Sequence, residues 1–113
     1  MINTPMQRNA GQTYAMDLTV TASDPLLITP TVNDNVNYVS LLNTGSGLAG
    51  VEFAPLAANL VTPTIATTGG SGSFVLPGGM NFPLILACPK GPFYIQAISS
   101  TTNTLYVTPI TAD

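Results

Sequence analysis

Ten prolines and ten glycines cut this chain at short intervals. The stretches between them are rich in the β-branched residues Thr, Val and Ile. Proline breaks a helix and glycine weakens one, whereas β-branched side chains pack well on a pleated surface. The chain is therefore expected to be all-β. The one helical turn it can hold lies near residues 56–61, where PLAANLV is stopped by Pro63.

Alternation then places the strands. Tyr14, Met16, Leu18, Val20 and Ala22 alternate with Ala15, Asp17, Thr19 and Thr21, which predicts a strand over 14–22 with one buried face. Pro25 ends it, and residues 26–29 form a second short strand. Asn33-Asp34-Asn35 is turn chemistry, because these side chains cap their own backbone. Residues 37–43 and 48–54 read as strands joined in a hairpin by TGSG, with Val51 and Phe53 on one face and Glu52 on the other. After an irregular stretch over 55–72 come strands at 73–77, 81–88, 93–98 and 104–110. In the 81–88 strand Phe82, Leu84, Leu86 and Cys88 share one face and Ile85 and Ala87 the other. Both faces are apolar, so this strand is expected between two packed layers. Pro83 should lie at its start or on an edge. The PKGP turn (89–92) is expected to close a hairpin into the next strand.

About eight short antiparallel strands with turns at this spacing predict a β-sandwich of jelly-roll type, with 55–72 crossing between its sheets. One domain over 13–113 accounts for the length, preceded by an extended N-terminal arm over 1–12, which has no apolar period.

Charge narrows the function. Charged residues are 6% of the 113, against about 25% in an ordinary domain, so few charges keep copies apart. Such a surface fits a chain packed against other protein. Only Arg8 and Lys90 are basic and the net charge is −3. Two cations cannot neutralise the phosphates that a nucleic-acid binder must contact, nor do they form a polybasic membrane site. No apolar run is long enough to span a bilayer. MINTPMQRNAGQTYAMDL has no charged head followed by an apolar stretch, so no secretory signal is expected. One cysteine forms no internal disulfide. A chain made and kept in the cytoplasm fits best.

Candidate chemistry is sparse. Cys88 and Lys90 lie two residues apart, but with no histidine in the chain a Cys–His pair is impossible. Cys88 is expected to be a small buried hydrophobe. TTGGSGS (67–73) lacks the lysine and the helix of a phosphate loop. No zinc ligand set exists, and Asp24, Asp34 and Glu52 lack calcium-loop spacing. Asp17 and Glu52 are predicted on solvent faces with nothing to bring them together. No enzyme activity, catalytic residue, metal or cofactor is expected. What remains is surface. The last two strands carry apolar residues on both faces, Phe93, Ile95 and Ala97 against Tyr94 and Ile98, then Leu105 and Val107 against Tyr106 and Ile110. Tyr94 and Tyr106 are thus candidates for a subunit interface, unless the 55–72 segment covers them. In the arm, Met1, Ile2 and Met6 can seat in shallow pockets of a neighbour, and Arg8 can pair with an acidic partner.

From Val36 onward the chain carries YVSLLNTGSG, its partner GVEFAPL, the proline-glycine turn in FVLPGGM, and CPKGPFYIQAI with the TLYVTP ending. On these stretches it resembles small structural proteins of tailed bacteriophages. The resemblance spans roughly residues 36–110 and is one of turn spacing. It implies a capsid decoration (cement) protein of the virion that binds the major capsid protein or another virion protein and self-associates, as a trimer. A ligand- or receptor-binding module of a tail appendage is the alternative. A sugar site would combine exposed aromatics with carboxylates, and the chain has no Trp.

Overall fold

The computed structural model describes residues 7–9, 11–30 and 38–112. They form nine strands: β1 (Gln7–Asn9), β2 (Tyr14–Leu18), β3 (Leu26–Ile28), β4 (Tyr38–Thr44), β5 (Ala49–Ala54), β6 (Phe74–Leu76), β7 (Leu84–Ala87), β8 (Phe93–Ser99) and β9 (Asn103–Ala112). The only helical element among them is a 3-10 turn at Ala57–Asn59, inside the predicted window. The expected turn at 33–35 lies outside the described residues.

The strands make two antiparallel sheets. One has the order β1-β9-β4-β7, with β2 beside β1 along the same edge of β9; the other runs β3-β8-β5-β6. From β2 onward successive strands alternate between the sheets, except for β5 and β6, which pair with each other. This corrects two expectations. TGSG joins β4 to β5, and PKGP joins β7 to β8, but each pair lies in different sheets. Both connections are crossings and not hairpins. The turn residues are those of any tight reversal, and the choice of sheet depends on partners distant in sequence.

The core lies between the sheets. β2, β4 and β9 send in Met16, Leu18, Val39, Leu41, Leu105 and Val107, and the other sheet sends in Ile28, Ala49, Val51, Leu76, Phe93, Ile95 and Ala97. Each large side chain fully buried there contributes about 1.5–3 kcal/mol. Phe93 is the largest and meets Phe53 edge-on, with ring centroids 5.7 Å apart.

The first long strand stops at Leu18, earlier than expected, because β8 needs a different neighbour there. The backbone of Ser23 donates to Ala97 O at 2.8 Å, and its hydroxyl accepts from Ala97 N–H at 3.1 Å. Ser99 N–H donates to Thr19 O at 2.9 Å. Residues 19–25 thus satisfy the edge of β8 beyond β3. Part of the segment predicted as an arm is strand. Residues 7–9 pair with β9 of the same chain, Gln7 opposite Ala112 and Asn9 opposite Ile110.

One end of the sandwich closes on a buried polar node. Asn43 continues the inward alternation of Val39 and Leu41 and is fully buried. Its amide donates to Gly47 O at 3.0 Å and Pro77 O at 2.9 Å. Asn103 Nδ2 also donates to Gly47 O, at 2.6 Å, and Asn103 Oδ1 accepts from Gly47 N–H at 3.3 Å. Gly45 turns there with φ +101°, and a Cβ on it would strike the Asn103 side chain. Three inter-sheet crossings are pinned together at this end.

Candidate interaction surface

Tyr94 and Tyr106 do not share a face. Tyr94 sits on the outer side of β8, half-buried, between Leu27 of β3 and Ala54 of β5. Tyr106 is on the outer side of β9, in the other sheet, 39% exposed beside Ala15 and Leu42. One contact cannot use both. The doubled apolar faces have a simpler cause as well, since β8 and β9 are both interior strands of their sheets. Over Gly50 and Ile98 the outer side of β8 and β5 is covered by residues 64 and 65, as a Cβ built on Gly50 would meet Thr64 O at 3.0 Å and Ile65 Cγ1 at 3.5 Å. That segment is tied back on itself, with Ser73 N–H donating to Thr64 O at 2.9 Å. Arg8 takes its place in β1 opposite Thr111. Met1, Ile2 and Met6 lie outside the described residues.

The open apolar surface lies elsewhere, along the edge where β6 and β7 border the two sheets. Phe82, expected in the core beside Leu84 and Leu86, is 81% exposed, and Phe74 is 50% exposed. β7 is an edge strand, not one held between layers. Pro83 immediately precedes it: a residue without an N–H ends the ladder, and Phe82 is left outside. Between this edge and β5 opens a cleft of about 340 Å³ lined by Val51, Glu52, Phe53, Phe74, Leu86 and Ala87. From Phe53 to Pro89 the chain has no charged residue. That run is the sequence signal for an edge without charge, protected instead by Pro83 and by the shortness of β6 and β7.

Cys88 lies just past β7, half-buried, and packs against the core with Leu84 and Leu86. Burial pushes its thiol up to about 12, so it stays protonated and unreactive at neutral pH. Lys90 is exposed, as expected of a turn tip. Asp17 is exposed on β2, whereas Glu52 is half-buried at the cleft, in the opposite sheet. Among the described residues no group of three or more His, Cys, Asp or Glu side chains is placed to hold a metal ion. None of their helices is long and apolar enough to cross a membrane.

Comparison with family models, with curated proteins and with solved structures returned no match.

Proposed function

We propose that this chain is a structural component of a virion, made in the host cytoplasm: a capsid decoration protein, not an enzyme, that binds the capsid and its own copies. The observation that carries the reading is the β6–β7 edge. An apolar, uncharged edge on a charge-poor domain is a liability in a free monomer and is useful in a chain that stays assembled. The same reading takes the sandwich as a jelly roll. Its support is the strand order, in which eight strands from β2 to β9 form two interleaved four-stranded sheets and change sheet at every connection but one. Jelly rolls serve as viral capsid domains, and also as lectin domains and cupins. The test is co-sedimentation of the purified chain with empty phage heads. Saturable binding supports the proposal, and a chain left in the supernatant counts against it.

A ligand-binding module of a tail appendage is the second reading. One observation favours it: Glu52 and the half-exposed Phe74 share a cleft, and a carboxylate beside an aromatic ring suits a sugar. A glycan-array screen with Glu52→Gln as the control separates the two.

A further inference from the structure

We propose that Met80 is a site of reversible oxidation, at which a peroxide converts the thioether to the sulfoxide and releases the crossing between β6 and β7 from β4. The inference goes beyond the reading above and needs neither capsid nor partner. It begins where β7 stops short. That strand pairs with β4 from Tyr38 to Leu41, and Leu41 faces Leu84. Two residues further along β4, Asn43 has no strand on that side, and Met80 stands in its place. Met80 N–H donates to Asn43 O at 3.1 Å, and Asn43 N–H donates to Met80 Sδ at 3.3 Å. A thioether sulfur, a weak acceptor, thus sits where a ladder would present a carbonyl. Beside it Gly79 N–H donates to Gly45 O at 2.6 Å. Residues 79 and 80 therefore tie this crossing to the end of β4 and to the turn that follows it.

The sulfur is open to attack, and its surroundings do not suit the product. Met80 is half-buried, whereas Met16 in the core is only 6% exposed. The Met80 side chain packs against the core cluster. In the reaction a sulfur lone pair attacks one peroxide oxygen. The S–O bond forms as the O–O bond breaks, the departing hydroxide takes up the remaining proton, and water leaves. Sulfur is oxidised by two electrons and the peroxide is reduced by two. The lone pair turned to Asn43 N–H is shielded by that contact, so oxygen adds to the other. The product carries a polar, pyramidal S–O group in place of an apolar one. An apolar core contact does not hold such a group, and the side chain swings out to water. Asn43 N–H is then left without its acceptor in a fully buried residue, which favours opening of the crossing. Methionine sulfoxide reductases return the thioether, so the release is reversible.

The test treats the full chain with hydrogen peroxide and locates sulfoxide by peptide mass spectrometry. Amide exchange by NMR and the thermal midpoint are followed in parallel. Met80→Leu keeps the volume and cannot be oxidised; carried through the same treatment, it controls for sulfoxide at Met1 and Met6. The proposal expects Met80 to convert in the folded protein and Asn43 N–H to exchange about tenfold faster or more. The midpoint should fall by about 4 °C or more, and reductases of both stereospecificities should restore it. Peroxide should leave the midpoint of Met80→Leu where it was. Complete sulfoxide at Met80 with unchanged exchange and midpoint overturns the proposal. So does a Met80 that resists peroxide until the chain is unfolded. A midpoint that falls equally in Met80→Leu also overturns it, because the effect then comes from another methionine.

Discussion

Replacing Asn43 by Asp exchanges one atom's chemistry at a fully buried position. The two hydrogen bonds that its amide donates, to Gly47 O and Pro77 O, are each worth about 1 kcal/mol. A carboxylate can make neither and would face two carbonyl oxygens. Leaving a buried charge without a partner costs a further 3–5 kcal/mol or so. The ionised variant should therefore lose about 5 kcal/mol, a large part of the roughly 5–15 kcal/mol that holds a domain together. Protonation relieves most of this, since a neutral carboxyl donates one hydrogen bond. The folded state accordingly holds this carboxyl well above its unfolded value of about 3.9. The sign follows. The variant is least impaired below about pH 4, loses stability as pH rises towards the folded-state value, and is flat above it. Urea unfolding of Asn43→Asp and wild type, compared at pH 3.5, 5, 6 and 7.5, measures the difference. Asn43→Leu, which removes the donors without adding charge, should lose about 2–3 kcal/mol at every pH. A gap between Asp variant and wild type that is independent of pH, or below about 1 kcal/mol, would refute the assignment of the node.

Four further outcomes follow from the same structure. Gly45→Ala should destabilise more than Gly69→Ala by at least about 1 kcal/mol, because both glycines have positive φ but only the former's Cβ would strike Asn103, while nothing lies within 4 Å of the latter's; paired thermal melts read the difference. Phe93→Ala should cost about 3–5 kcal/mol in denaturant unfolding, since the ring is fully buried against Phe53. Cys88 should react with a thiol reagent far more slowly in the native protein than in urea, and should stay slow up to pH 9, because its thiol is pushed up to about 12. Deleting residues 1–9 should lower the thermal midpoint measurably, as it strips β1 from Ile110–Ala112 of β9; an unchanged midpoint would mean that this segment is only a tail.

The strands were legible because their signals are local. Alternation at Tyr14–Leu18, Tyr38–Thr44 and Phe93–Ser99 survives in the structure as alternating burial. Which sheet a strand joins was not legible, because TGSG and PKGP can reverse a chain within a sheet or between two. Period alone places Phe82 in the core, although Pro83 beside it removes a donor from the ladder that this placement needs. Asn43 was readable in principle: it extends the inward series of Val39 and Leu41, so a polar side chain had to be buried there and its amide N–H groups paired. The two tyrosines shared a pattern but belong to different sheets, and only the fold separates them.

The proposed virion role is tested most directly by quantitative mass spectrometry of virus particles purified from the source that carries this gene. The account predicts the chain in the particle at a fixed ratio to the major capsid protein, many copies per virion, and retained through density-gradient purification. Its absence from particles, in cells that express it throughout infection, would contradict the account.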